Sequence, residues 1–392
     1  MKINYITYQY FPDNRANTFQ TFSTIKAFLR KDIEVKLIFP NRKDNNCNNE
    51  DYFQFYDVQK NLQHNLQIIP TKHINFISLN KNSNLLRKVI YLFQHYLWSK
   101  VTIKKLKLLN ANKDEIFFTR SYIIFFLLRK YNCTLIFECH QLTRLSKILI
   151  KNTMNKILGK KFIISLSPYI HNTLQNLGIP KNLILQLDNG YEESYFSNLK
   201  RTKLRKSFGF SENEKIFIFG GGLKIMNETK NLEFFIDVFN EYVISNKITD
   251  FKLLLYCLNE TEYINLKKHE FSSPLNSKIL IYNSKKEKEF IKLLFASDIG
   301  VIPLPDNFYV NHFSSSLKFS QYVRANLLII GSNVGANKRM GYKHFIPYEN
   351  NRENIFEILN RINSYDLETI NYKESLCLST DKRVEIILDF VS

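Results

Sequence analysis

MKINYITYQY FPDNRANTFQ TFSTIKAFLR KDIEVKLIF, residues 1–39, is the stretch whose reading decides the fold. Ile3–Tyr8 is a β-branched and aromatic run of strand type. Phe11-Pro12-Asp13-Asn14 is turn chemistry. Phe19–Leu29 then gathers Phe19, Phe22, Ile25, Ala27, Phe28 and Leu29 largely on one helical face, and Ile33–Phe39 is a second short apolar strand. A strand, a helix and a strand in so few residues predict the opening of a parallel α/β sheet, because parallel neighbours need a crossover connection.

Working outward, polar Asn41–Asp51 reads as an exposed loop. Further strands are expected at Leu66–Pro70, Ile116–Thr119, Thr134–Glu138 and Phe162–Ser165, with helices at Leu85–Val101 and Arg144–Leu158. A second alternation begins after Tyr195-Phe196. Strand Lys215–Phe219 runs into Gly220-Gly221-Gly222, a helix follows from about Asn231 to Tyr242, and a strand spans Phe251–Cys257. Helix Glu287–Ala296, strand Ile299–Pro303, helix Ser316–Arg324 and strand Leu327–Ile330 continue it. The expectation is an α/β chain of two Rossmann-like, doubly wound parallel-sheet domains, residues 1–190 and 196–380, joined near Asn189–Leu199. A last helix, Arg383–Val391 within residues 381–392, is expected to pack back on the first domain.

Composition sets the class. The 392 residues are 44% hydrophobic and 23% charged, ordinary for a globular protein and unlike a disordered one. The longest unbroken apolar run is Tyr122–Leu128, far short of a membrane span. Met1-Lys2-Ile3-Asn4-Tyr5 lacks the sections of a signal peptide. Cysteines 47, 133, 139, 257 and 377 form no CxxC pair and fit a reducing cytoplasm. Lys+Arg 55 against Asp+Glu 36 leave +19, and the excess is lopsided. Residues 1–200 hold 29 basic and 13 acidic side chains, whereas residues 201–392 hold 26 and 23. Lys72–Lys161 alone has 18 basic residues against Asp114, Glu115 and Glu138. Composition bias explains many lysines but not a nearly neutral second half, so the first half is expected to face something anionic.

GxSxG, P-loop and HExxH patterns are absent, as is a DxD-type aspartate pair. Gly220-Gly221-Gly222 is not a dinucleotide fingerprint, since GxGxxG is absent, and hydride transfer is not expected.

Several segments line up in order with another pattern. Asp188-Asn189-Gly190-Tyr191-Glu192-Glu193-Ser194-Tyr195-Phe196 follows Ser165-Leu166-Ser167-Pro168-Tyr169 and Leu177-Gly178-Ile179-Pro180. Then come Phe219-Gly220-Gly221-Gly222-Leu223 with Lys230-Asn231, Ala296-Ser297-Asp298-Ile299-Gly300-Val301-Ile302-Pro303, and Ser315-Ser316-Leu317-Lys318-Phe319-Ser320-Gln321-Tyr322. In the first half, Thr119-Arg120-Ser121 precedes Phe137-Glu138-Cys139-His140, and Ala16-Asn17-Thr18-Phe19-Gln20 sits where a first glycine-rich or small-residue loop is expected. In this order they resemble the motifs of bacterial glycosyltransferases of the GT-B fold, family 4-like (group 1).

The resemblance implies two domains facing a central cleft and sugar transfer from an NDP-sugar, UDP- or GDP-linked, to a glycan or lipid-linked acceptor in surface polysaccharide synthesis (capsule or lipopolysaccharide). It implies retention of configuration, no metal and no cofactor beyond the donor substrate. His140 and Arg120 become the catalytic candidates. Donor candidates are Gly221, Gly222, Lys230, Ser315, Ser316, Leu317, Lys318 and Gln321; Ala16, Asn17, Glu138 and Asn189 are acceptor or cleft candidates. The chemistry is coherent, because a departing diphosphate gathers negative charge. Backbone close to a glycine turn, lysines and a helix N-terminus all stabilise such charge.

The departures are specific. The family's carboxylate pair, eight residues apart, is here Phe313 and Gln321, and Gln321 can hydrogen-bond ribose but not as an anion. Asn326 replaces a glycine, and Gly222 stands where an arginine is usual. Specificity for base and sugar is expected in loops around Tyr282–Ser284 and Asn307–Ser314. Arg87–Lys107 and Arg144–Lys161 mix basic with aliphatic and aromatic residues, which suits an anionic bilayer surface. The chain is thus expected at the inner face of the cell membrane, cytoplasmic and peripheral. A catalytically silent GT-B partner subunit is the alternative, and a basic nucleic-acid-binding protein the remoter one; no nucleic acid is expected, because no RNA- or DNA-binding motif is present.

Overall fold

The computed structural model describes residues 1–392 except 14, 42–46, 74–83, 108–114, 226–227, 258–259, 269–277, 284–286, 316, 339–340, 366 and 368–377. Two compact units emerge, residues 1–188 with 381–392, and residues 189–380.

The first unit is built on strands β1 (Lys2–Ile6), β2 (Glu34–Asn41), β3 (Leu66–Lys72), β4 (Glu115–Thr119), β5 (Thr134–Cys139), β6 (Lys161–Ser165) and β7 (Ile184–Gln186). They lie in the order β3-β2-β1-β4-β5-β6-β7, all parallel. Its helices are α1 (Ala16–Leu29), α2 (Asn49–Phe55), α3 (Lys60–Gln63), α4 (Asn84–Lys107), α5 (Tyr122–Leu128), α6 (Arg144–Met154) and α7 (Pro168–Asn176). Parallel strands are covered on both faces, so they read as unbroken apolar runs, and β6 is buried from end to end.

The second unit carries α8 (Arg201–Phe208), β8 (Lys215–Gly220), the two-residue strands β9 (Lys224–Ile225) and β10 (Glu228–Thr229), α9 (Leu232–Ser245), β11 (Phe251–Cys257), α10 (Glu260–Lys268), β12 (Ile279–Asn283) and α11 (Glu287–Ala296). It continues through β13 (Ile299–Ile302), α12 (Phe308–His312), α13 (Leu317–Arg324), β14 (Leu328–Ser332), α14 (Gly335–Lys338), β15 (Phe345–Tyr348) and α15 (Arg352–Asn363). The main sheet runs β12-β11-β8-β13-β14-β15, again all parallel. In both sheets the strand order reverses beside the first strand, and ligands of doubly wound sheets bind outside the carboxyl ends at that reversal.

The chain then returns to the first unit through α16 (Thr380–Val391). Arg30 pairs with Asp381 at 2.6 Å and Lys31 with Glu385 at 2.5 Å. Inside the second unit, the Tyr191 amide donates to the Leu378 carbonyl at 3.1 Å and the Thr380 amide to the Tyr191 carbonyl at 2.8 Å.

Four readings need correction. The helix expected over Arg144–Leu158 ends at Met154, because the Lys161 ammonium turns inward onto the carbonyls of Lys156, Leu158 and Gly159 and holds that stretch as a loop. The loop expected at Asn41–Asp51 already contains the start of α2, where Asn48 and Asp51 form a reciprocal capping box. Tyr282 stands on a strand, with Ser284 outside the described residues, and Asn307–Ser314 contains α12, capped by the Asn307 side chain. Residues 16–20, expected as a small-residue loop, instead open α1, where the Thr18 and Phe19 amides bond back to the Arg15 carbonyl.

Gly300, midway along β13, receives the ring of Tyr322 from α13: a Cβ there would lie 2.2 Å from the ring. Gly300→Ala should therefore cost about 1–3 kcal/mol through overpacking. Urea unfolding measures it, and an unchanged midpoint would refute the fit.

Candidate active site

In the first unit, β4 and β5 end side by side and deliver Arg120, Glu138 and His140 to one place. Glu138 is 1% exposed. Its Oε1 accepts Arg120 Nε at 2.8 Å, Arg120 Nη2 at 2.6 Å and His140 Nε2 at 2.6 Å. Its Oε2 accepts Arg383 Nη2 of α16 at 2.9 Å, and Arg383 Nε donates to the Asp188 carbonyl at 2.9 Å. Arg120 Nη1 reaches the Asn17 carbonyl at 3.0 Å, so the first turn of α1 joins the group through backbone. Ala16, one residue earlier, is exposed.

Burial pushes the Glu138 carboxyl up, but Arg120, Arg383 and the His140 bond together hold it well below the usual range. Burial, then Arg120, pulls the His140 imidazole down to about 4 against the opposing pull of Glu138. His140 is therefore neutral near pH 7. Because an ionised carboxylate only accepts, Nε2 carries the proton and Nδ1 is left as a lone-pair acceptor. The group offers a substrate hydroxyl a fixed acceptor rather than a strong base.

In the second unit the site lies where β8 ends. The Gly221 amide donates to the Tyr256 carbonyl at 3.1 Å, and φ of +119° at Gly221 is a conformation that favours glycine. A Cβ on Gly221 would sit 3.8 Å from Lys318 Cε and 3.9 Å from Lys230 Nζ, so the two lysines converge on this turn. Lys230 follows the β9–β10 ribbon, its amide donating to the Leu223 carbonyl at 2.9 Å. Lys318 is on the first turn of α13 with Nζ 3.8 Å from the centroid of the Phe290 ring. Among the described residues neither ammonium has an ion pair or hydrogen bond. Burial brings Lys230 down to about 8 against the pull of Glu262. Burial does the same to Lys318, also to about 8, with Glu287 opposing and Lys230 adding to the fall.

Around them, Glu262 accepts the Leu223 amide at 3.0 Å and lies beside Gly222. Gln321, 2% exposed, donates from Nε2 to Glu287 Oε1 at 2.7 Å, while its Oε1 has no partner. The Asn189 amide donates to Ser315 Oγ at 3.4 Å, which brings these two candidates together. Leu317 opens α13 half-buried, and Ser316 lies outside the described residues. Phe313 is buried against Phe308 and Tyr309.

Sequence reading missed Arg383, Glu287, Glu262, Phe290 and Tyr322. The legible signal was glycine: Gly220 and Gly300 each leave room for a ring, Phe290 and Tyr322 respectively, at 2.2 Å from an added Cβ. Nothing in the local sequence marks Arg383, which meets Glu138 across 245 positions.

No protein-family model matches the sequence, and neither does any curated protein. Among solved structures, a glycosyltransferase from Rickettsia africae is similar at 16% identity and a TM-score of 0.66, covering 100% of this chain and 98% of that one. A trehalose-6-phosphate structure from E. coli bound with UDP-2-fluoro glucose is similar at 12% identity and a TM-score of 0.67, covering 100% and 99%. UDP-GlcNAc 2-epimerase from Methanocaldococcus jannaschii is similar at 14% identity and 0.63, covering 99% and 100%. Likeness over the whole length shows the GT-B fold.

Arg383→Gln should leave Glu138 Oε2 bare and raise the His140 pKa, since one nearby cation is lost and Glu138 is held less firmly. Nitrogen-detected NMR of His140 across pH 3–7 checks this. An unmoved titration would show that Arg383 does not act on the imidazole.

Proposed function

We propose that this chain is a glycosyltransferase that takes a sugar from an NDP-sugar, UDP-linked in the first instance. The second unit binds the donor and the first presents the acceptor hydroxyl. The observation that carries the reading is the pair of half-buried ammonium groups converging on the Gly221 turn. Two cations held together at a cost in desolvation and mutual repulsion make sense where a dianion neutralises both. A diphosphate does so, and it gains negative charge as the sugar leaves, so the same pair stabilises the transition state more than the ground state. The UDP-sugar ligand of the E. coli structure and the UDP-GlcNAc of the epimerase's name support a uridine donor.

Mechanistically, Lys230, Lys318 and the start of α13 hold the diphosphate. Gln321 Oε1 and the Glu287 carboxylate beside it are acceptors suited to ribose hydroxyls, restoring an anion that Gln321 itself lacks. His140 Nδ1 accepts a hydrogen bond from a sugar or acceptor hydroxyl while Arg120 and Glu138 fix the ring. A weakly basic His140 suits a retaining reaction in which leaving-group phosphate takes the acceptor proton. The reaction is read as metal-independent, with lysines supplying the positive charge. The acceptor is read as a glycan or lipid-linked sugar of surface polysaccharide synthesis, met at the inner, anionic face of the membrane by the basic first unit. No described helix is long and apolar enough to cross a membrane.

Calorimetry with UDP, GDP and their sugars tests the donor site. One nucleotide should bind, and Lys230→Ala or Lys318→Ala should each weaken it about 10- to 100-fold, the range of a charge-assisted hydrogen bond. No binding, or binding indifferent to both lysines, would overturn the assignment. Product analysis separates the epimerase-like outcome: change of the donor sugar without any acceptor would replace transfer.

pH gives an independent check. With both lysines near 8 when free, nucleotide binding should be flat below about pH 7.5. It should weaken above pH 8, where binding must draw protons from solution, by up to about tenfold per unit for each lysine. Ordinary lysines would keep the affinity flat to about pH 10.

A further inference from the structure

Between Arg144 and Lys161 the chain carries six basic residues and no acid. Arg144, Leu145, Ile148 and Lys151 share the exposed face of α6, with Leu145 43% and Ile148 58% exposed. Beyond the helix, Ile157 is 99% exposed and Leu158 51%, with exposed Lys156 and Lys160 on either side. No other large apolar side chain among the described residues is as open to water as Ile157.

This tip is held by the fold. Lys161 is buried and donates to the Lys156 carbonyl at 2.7 Å, the Gly159 carbonyl at 3.4 Å and the Leu158 carbonyl. The Lys160 carbonyl accepts the Leu135 amide at 2.9 Å, and Lys160 Nζ reaches the Ser392 carbonyl at 3.5 Å. Gly159, at φ +71°, lies so close to β5 that a Cβ would come within 2.3 Å of the Cys133 carbonyl oxygen. One buried ammonium thus organises three carbonyls so that an isoleucine points into water. That arrangement contributes nothing to the core.

We infer that the 155–160 loop is a preformed wedge by which the first unit inserts Ile157 and Leu158 into an anionic bilayer, with Lys156 and the basic face of α6 lying against lipid phosphates. A bilayer offers both halves of this surface what they lack: acyl chains for the aliphatic tip and anionic headgroups for the flanking cations. A nucleic acid would engage the lysines but stack on aromatic rather than aliphatic side chains. The wedge rests on the membrane-facing reading of the first unit above, and it adds insertion to mere surface attraction.

Vesicle sedimentation with full-length protein tests it, comparing phosphatidylcholine alone with mixtures containing phosphatidylglycerol. Wild type should bind the anionic vesicles. Ile157→Ser with Leu158→Ser should weaken that binding about tenfold or more, as expected for losing buried aliphatic carbons, without changing the melting temperature. In a separate variant, Ile157→Trp should shift its emission to the blue on binding and be quenched by brominated lipid; the native Trp98 is buried and gives the background. If wild type binds but the serine variant binds equally and the tryptophan stays in water, the wedge is wrong and surface attraction alone stands. If wild type binds no vesicle, or binds an RNA oligomer instead, the membrane reading falls with it.

Discussion

With no side chain at Gly300, the ring of Tyr322 reaches the sheet, and its hydroxyl accepts the Gly220 amide at 3.2 Å. α13 is thereby fixed at one height over the carboxyl ends of β8 and β13. Lys318 and Gln321, on the same two turns, inherit that position. Phe290 fills the space over Gly220 in the same manner and supplies the ring on which the Lys318 ammonium rests. The geometry of the second unit's site is therefore a packing result first and an electrostatic one second. A polar group held by such contacts cannot relax toward a better partner, and two lysines remain uncompensated.

The two candidate sites treat charge in opposite ways. In the first, Glu138 is fully matched: two arginines and a histidine consume both of its oxygens. Such a network adds little net stability, because desolvation offsets most of the attraction, but it leaves one orientation open to each member. At the Gly221 turn of the second unit, by contrast, Lys230 and Lys318 are left unmatched. The first arrangement suits orienting a neutral imidazole, the second receiving an anion.

The fold was legible in the sequence because both faces of each sheet are covered. β8, β11, β13 and β14 read as plain apolar runs, separated by helices of ordinary length. The GT-B resemblance also located Arg120, Glu138 and His140, which meet through neighbouring strand ends that any parallel sheet brings together. What stayed hidden was long-range. Arg383 is one basic residue in a helix like many others, and Glu287 sits in the mixed run Lys285-Lys286-Glu287-Lys288-Glu289. The end of α6 was misread because Ile157 and Leu158 extend the amphipathic pattern. The inward turn of Lys161 onto carbonyls two, three and five residues back holds that stretch as a loop instead.

The return of α16 to the first unit has a consequence for synthesis. Residues 189–380 form a unit contiguous in the chain, whereas the first unit needs a helix made after that unit to supply Arg383. On the ribosome the second unit can close while the first still lacks one of Glu138's partners. The carboxylate is neutralised on its second oxygen only when α16 docks. A chain cut short before Arg383 would thus be expected to leave a near-complete second unit beside an unfinished first, an asymmetry that pulse proteolysis of nascent chains would register.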